Sequence, residues 1–393
     1  MSFTPKEELN RRIANFQAKL QERGVDGALI IQNADMFYFF GTIQRGFLYI
    51  PAYGKPIFMV LKGIDRVLKE SELERIIELK QVRDIPIVLQ EYGYDVIQTL
   101  GLEADVLPYN SFINYEKIFS PAKAVDISSD IRNVRMIKTD FELEHIKNAA
   151  VMAQSVFKRF AEILREDVTD LELVGSLEKA SRIAGHCGLN RARGFNQENT
   201  YTLLLAGPEG VLPSFVNGPL GGMGISPAYP HGPSNLIIKR NQPILLDYQA
   251  WSEGYMADVT RTFVIGSLPA KLIKAYNTAI EIHELLIEAA KPGTECSSLY
   301  ELAVKKATVE GLAGHFMGMK QQVRFVGHGV GLEIDELPII APGIKTTLEK
   351  GMVVALEPKF LFPEGAVGIE NTFVVGEHGL ERLTVFDEKL VSI

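Results

Sequence analysis

Four carboxylates and one histidine lie where neighbouring residues would turn their side chains inward. Asp247 follows the apolar run Pro243-Ile244-Leu245-Leu246, and Asp258 returns beyond a turn at Ser252-Glu253-Gly254. Glu357 follows Val353-Val354-Ala355-Leu356, and Glu370 sits between Ile369 and Asn371 on a second return strand. His328 is held between glycines in VGHGVGLEIDELP, residues 326–338. Singly, each has an ordinary reading: strand acids face water, and a histidine among glycines sits in a turn. Together they conflict. Opposed residues of an antiparallel hairpin share a face about 5 Å apart, and carboxylates roughly 4 Å apart repel by about 4 kcal/mol at an effective dielectric near 20. Three such neighbours oppose folding by about 12 kcal/mol, against a domain stability of about 5–15 kcal/mol. No run of lysines or arginines stands beside them. Two divalent cations would neutralise them, and four carboxylates with one imidazole suit manganese or cobalt first, with zinc or iron as alternatives. Such a pair acidifies bound water and polarises a carbonyl, which is the chemistry of amide hydrolysis.

The elements that must position these residues can be read in outline. In PKEELNRRIANFQAKLQERG, Leu9, Ile13, Phe16 and Leu20 form one helical stripe that Gly24 ends. The apolar runs GALIIQ and GKPIFMV follow as buried strands, and the alternation to about residue 127 indicates a small α/β domain. That stretch has no histidine, no phosphate loop and no usefully spaced acid pair. The polar segment DISSDIRNVRMIKTD marks the boundary, giving domains 1–130 and 131–393. Beyond it the layout repeats. Thr139 with Glu142 and Thr169 with Glu172 are capping boxes for two helices. Ser267, and then Ser298 with Glu301, are expected to cap a second pair. Each pair leads to strands and a hairpin, so the larger domain is α+β and pseudo-twofold, on layout alone. Between the first helix pair and its hairpin runs VLPSFVNGPLGGMGISPAYPHGPSN, a long Gly/Pro loop that carries His231 and matches no nucleotide-binding pattern.

Bulk properties narrow the function classes. A net charge of -8 and a pI near 5.6 argue against nucleic-acid or anionic-membrane partners. Cys187 and Cys296 are far apart and make no C-x-x-C, so a reducing compartment is the default. The N-terminus places charges where a signal peptide needs an apolar core, and no long apolar run spans a bilayer. The expectation is a cytoplasmic chain with no membrane partner.

With these residues in view, the chain resembles the pita-bread metallopeptidases: aminopeptidase P, prolidase and methionine aminopeptidase, with creatinase as a metal-free relative. The likeness rests on D-x10-D in DYQAWSEGYMADVTRTF, H-G-x-G in HGVGLEIDELP, E-P in ALEPKF and I-E in VGIENTF. It implies a pita-bread domain behind a creatinase/prolidase-like N-terminal domain, and a homodimer in which that N-terminal domain narrows the partner's active-site mouth. It implies that Asp247 binds one metal, that His328 and Glu357 chiefly bind the other, and that Asp258 and Glu370 bridge. It also implies that His231 contacts substrate and that Glu357 accepts a proton from bridging water. The implied reaction is Xaa-Pro peptide hydrolysis by a metal-bridging hydroxide. The rivals are creatinase-like cleavage of a non-peptide C–N bond and an inactive binding scaffold. Four positions depart from the family. Asp335 stands where H-E-x-P has histidine, and Gln249 where glycine is usual. Lys359 replaces the glycine of E-P-G, and Gly368 the arginine of R-I-E. Asp335 is therefore expected to shape the choice of a small peptide or amide substrate, with Arg324 its nearest cation in sequence.

Overall fold

The computed structural model describes residues 3–393. Contacts divide the chain into two compact units. The first runs to Arg135 and takes in Arg193–Phe195; the second comprises Met136–Ala192 and Asn196–Ile393.

In the first unit the helix Lys6–Arg23 buries Leu9, Ile13, Phe16 and Leu20 along one stripe, and stops where Gly24 turns left-handed (φ 66°) and caps the carbonyls of Leu20 and Gln21. A mixed six-stranded sheet follows, in the spatial order Ile76–Glu78, Ile57–Val60, Gly46–Pro51, Gly27–Ile30, Thr99–Leu102, Lys123–Asp126. Its central strands are buried on both faces, which is why GALI and IFMV read as unbroken apolar runs rather than alternating ones.

The second unit begins with both expected capping boxes, which open the helices Asp140–Ile163 and Asp170–Ile183. The second helix pair starts elsewhere than expected. Ala270–Ala289 begins after Pro269, whose ring disfavours helical geometry at Leu268, so Ser267 lies outside. Cys296–Val309 begins after Glu295, and the Ser298 hydroxyl lies within the first turn, donating to the Glu295 carbonyl.

The first hairpin pairs Ile244–Ser252 with Tyr255–Val264 through a two-residue turn with positive φ at both Glu253 and Gly254, the geometry that matches strand twist. The second pairs Val353–Leu356 with Asn371–Val375, inside a five-stranded sheet that also holds Gly327–Gly329. Its tip is a separate ladder, Lys359–Phe362 with Gly365–Gly368. The register passes from Leu356↔Asn371 to Lys359↔Gly368, so Glu357-Pro358 and Ile369-Glu370 occupy a break between ladders. Pro358 has no N–H to give, which favours the break there.

The two hairpins are joined at that break. Thr260 and Glu370 exchange backbone bonds of 3.3 and 3.1 Å. The Thr372 hydroxyl accepts the Asp258 N–H and donates to the Asp258 carbonyl, each at 2.9 Å. Thr262 does the same for Gly368. The buried Arg261 guanidinium spans the joint, donating to the carbonyls of Thr260, Glu370, Phe386 and Asp387 and to Asn371 Oδ1. Apolar packing backs each half: Phe157 and Phe160 lie against Phe263, while Leu272, Tyr276, Ile282 and Leu286 share a core with Val354 and Phe373. Burying each such side chain contributes about 1.5–3 kcal/mol.

Candidate active site

The joint gathers all five predicted residues. Asp247, Asp258, His328, Glu357 and Glu370 are buried together. His328 reaches them from Gly327–Gly329, the strand that runs beside Val353–Leu356. Its flanking glycines permit that approach: a Cβ at Gly327 would lie 2.4 Å from the Ala355 carbonyl oxygen, and one at Gly329 2.1 Å from that of Leu337. His328 Nδ1 lies 3.1 Å from the Gly329 carbonyl oxygen. A proton on Nδ1 donated there leaves Nε2 as the nitrogen that can ligate an ion among the acids; without an ion, burial opposes the imidazolium charge, yet Glu370, Asp335, Glu357 and Asp258 hold its pKa well above normal. Nε2 lies 3.5 Å from Glu357 Oε1, 3.7 Å from Glu370 Oε1 and 3.8 Å from Asp258 Oδ2.

Two expectations need correction. Asp247 and Asp258 are not opposed across the hairpin; the register pairs Asp247 with Thr260 and Gln249 with Asp258. A cation is also already present. Lys359, only 1% exposed, sets its Nζ 2.7 Å from Glu357 Oε2, 2.7 Å from Glu370 Oε2 and 3.5 Å from Asp247 Oδ2. Gln249 Nε2 donates to Asp247 Oδ1 at 2.7 Å and to Asp258 Oδ1 at 3.1 Å. In the sequence both residues stand out only as departures from the family pattern. A signal for them existed: each stands two residues after a ligand-type acid on an apolar strand, and side chains at i and i+2 share a face.

The electrostatics follow from burial and from Lys359. Burial raises the Asp258 carboxyl well above the usual range, with Glu370 and Asp247 adding to the effect. Burial also lifts Asp247 to about 6 and Glu357 to about 7, while Lys359 pulls both back. Glu370 goes the other way, to about 2, because Lys359 and His328 outweigh its burial. Burial opposes the charge on Lys359, yet Glu357, Glu370 and Asp247 hold its pKa well above normal.

The donor set fits a metal ion on one side. Asp258, His328 and Glu370 each offer a ligand atom, all within 4.8 Å of one another. Glu370 Oε1 is buried and, among the described residues, makes no hydrogen bond. Ligands at 2.0–2.2 Å in a tetrahedron lie about 3.3–3.6 Å apart, close to the separations around His328 Nε2. The side nearest Asp247 does not fit an ion as it stands, because Lys359 and Gln249 engage both Asp247 oxygens.

The remaining predicted residues flank this centre. Asp335 is largely exposed, and its Oδ1 lies 3.5 Å from His328 Nδ1 rather than pairing with Arg324. His231 is buried in its loop, with Nδ1 3.1 Å from Ser214 Oγ and its pKa lowered by burial. Glu336, the residue after Asp335, is held by Lys138 Nζ at 2.9 Å and accepts the N–H groups of Leu332 and Glu333, which fixes the turn after His328.

Comparison with known proteins identifies the family. Residues 144–377 match the model of Metallopeptidase family M24, and residues 12–137 match that of the Creatinase/Prolidase N-terminal domain. The chain is 27% identical to a Xaa-Pro dipeptidase of Pyrococcus furiosus, over 98% of this chain and 100% of that protein. It is 24% identical to an uncharacterized peptidase of Bacillus subtilis, over 94% and 96% of the two chains. Among solved structures, it superposes on a Xaa-Pro dipeptidase from Bacillus anthracis with a TM-score of 0.84 at 25% identity, covering 98% of this chain and 100% of that one. A prolidase from Pyrococcus furiosus gives 0.79 at 26%, over 94% and 99%.

Proposed function

The chain belongs to metallopeptidase family M24, and from that premise we propose that it hydrolyses a small peptide or peptide-like amide in the manner of an Xaa-Pro dipeptidase or aminopeptidase. It is a metal-dependent peptidase with a creatinase/prolidase N-terminal domain ahead of a pita-bread domain. In this reading the first domain is residues 1–130 and the second residues 131–393. The observation that carries the reading is the Asp258–His328–Glu370 cluster with its unpartnered Glu370 oxygen, at the joint of the two hairpins.

Metal would be held from among Asp247, Asp258, His328, Glu357 and Glu370, with manganese or cobalt expected. A bound divalent ion supplies Lewis acidity and lowers the pKa of water at neutral pH. In this reading Glu357 takes the proton from the attacking water and returns it to the leaving amine, as a positioned carboxylate beside the ion can. With Nδ1 of His231 facing Ser214, Nε2 is the ring nitrogen left to hold the substrate carbonyl. Asp335, where the family has histidine, cannot donate a hydrogen bond when ionised and so favours a cationic or N–H-rich substrate group.

Among the described residues no helix is long and apolar enough to cross a membrane. A cytoplasmic homodimer without nucleic-acid or membrane partners completes the reading. Lys359 also favours one second reading, cleavage of a non-peptide C–N bond, because an ammonium fixed among the acids supplies positive charge there without an ion; the survival of all five ligand-type residues counts against it.

The test is a screen of Xaa-Pro dipeptides, other dipeptides and small amides against protein reconstituted with Mn²⁺ or Co²⁺. Metal-dependent turnover of a peptide bond supports the first reading. Turnover of amides alone supports the second. No turnover with any metal removes both. Light scattering tests the dimer, and a fully active monomer at micromolar concentration refutes it.

A further inference from the structure

We infer that this chain holds one divalent ion, among Asp258, His328, Glu357 and Glu370, and that the Lys359 ammonium with the Gln249 amide takes the place of a second. The inference rests on the metal-binding part of the reading above and concerns the number of ions, not the substrate.

The carboxylate oxygens fall into two groups. Asp247 Oδ1 and Asp258 Oδ1 accept from Gln249 Nε2; Asp247 Oδ2, Glu357 Oε2 and Glu370 Oε2 face Lys359 Nζ. Thr260 Oγ1 donates to Glu370 Oε2 as well. The oxygens left over are Asp258 Oδ2, Glu357 Oε1 and Glu370 Oε1, and these are the three that lie 3.5–3.8 Å from His328 Nε2. Glu370 thus divides its two oxygens between an ammonium and an ion.

Space forbids a second ion while Lys359 stays. An ion bound to Asp247 Oδ2, Glu357 Oε2 and Glu370 Oε2 at 2.0–2.2 Å would lie among the same three atoms that surround Nζ. The lysine is also built in. It opens the buried strand Lys359–Phe362, and its carbonyl accepts the Met317 N–H at 2.9 Å. Its cross-strand partner is Gly368, where an added Cβ would come within 2.7 Å of Lys359 Cγ. The glycine therefore makes room for the lysine stem. Gln249 likewise has its amide directly across from Asp258. Glu357 and Glu370 each accept a 2.7 Å hydrogen bond from Nζ and Asp247 Oδ2 lies 3.5 Å away, which makes Lys359 a fixed counter-charge rather than a nucleophile.

The experiment counts ions. Metal-free wild type is titrated with Mn²⁺ or Co²⁺ by calorimetry, bound metal is measured by elemental analysis after gel filtration, and anomalous scattering from crystals locates it. One ion per chain is expected for wild type, at the His328 side, and two for the Lys359→Gly/Gln249→Gly double variant. Two ions in wild type, or an ion beside Asp247 with Lys359 turned away, would overturn the inference. So would a wild type that binds none, or a folded double variant that still binds one. If the double variant does not fold, the wild-type count and anomalous position decide alone. Peptide hydrolysis is scored separately: one ion without turnover removes the proposed activity and leaves the inference standing, while two ions with turnover do the reverse.

Discussion

Replacing Lys359 by methionine keeps much of the side chain's length and removes its charge, and metal-free protein should lose about 3–5 kcal/mol of stability at pH 7.5. The magnitude follows from the contacts. Nζ is 2.7 Å from two carboxylate oxygens and 3.5 Å from a third, a gross attraction of about 6, 6 and 5 kcal/mol at an effective dielectric near 20. Several kcal/mol return because the buried ammonium no longer has to be desolvated. The acids also respond by binding protons, since burial already holds Asp247 near 6 and Glu357 near 7. A carboxyl whose folded pKa is raised contributes stability that is present at low pH and lost as pH rises through that pKa. The gap between variant and wild type should therefore narrow at pH 5.5. The assay is urea unfolding in chelator, followed by the fluorescence of Trp251, the only tryptophan, which lies on the same hairpin as Asp247. Metal at a thousandfold its Kd adds about 4 kcal/mol and should recover most of the loss. A loss below about 1 kcal/mol, unchanged between the two pH values, would refute the role of Lys359 as counter-charge.

Three further outcomes are expected. Arg261→Lys keeps the charge but cannot reproduce the five hydrogen bonds of the guanidinium, two of which cross the joint to Glu370 and Asn371; it should cost about 2–4 kcal/mol and weaken metal binding, and a variant within about 0.5 kcal/mol of wild type in urea would show that the guanidinium is not the clamp. Burial, aided by Arg382 and Arg261, lowers the pKa of His283 to about 3, so its contribution is present above the unfolded value near 6.5 and is lost as pH falls toward 3. Between pH 7 and pH 5, wild type should lose about 2 kcal/mol more than His283→Leu, and parallel urea curves would contradict this. Asp335→His should raise kcat/KM for Xaa-Pro dipeptides relative to amides bearing a second cationic group; an unchanged ratio makes Asp335 structural.

Much of the site was legible because its signals are local. The four acids stand beside apolar residues and His328 between glycines, the Thr139 and Thr169 boxes need only residues three apart, and Glu253-Gly254 suits a two-residue turn. The second helix pair was misplaced for an equally local reason, since Pro269 outcompetes Ser267 as the start. Other features depend on which residues meet across strands. Composition and spacing could establish that four acids require positive charge, but not its source. That was decided by the register that sets Gln249 opposite Asp258 and Lys359 opposite Gly368, and by the Thr260–Glu370 bridge that brings both hairpins to one point. A lysine two residues after an acid shares its face in any strand, and most such lysines extend to water. Lys359 turns inward because packing on every side buries it and a glycine leaves room for its stem, and only the folded chain supplies those neighbours.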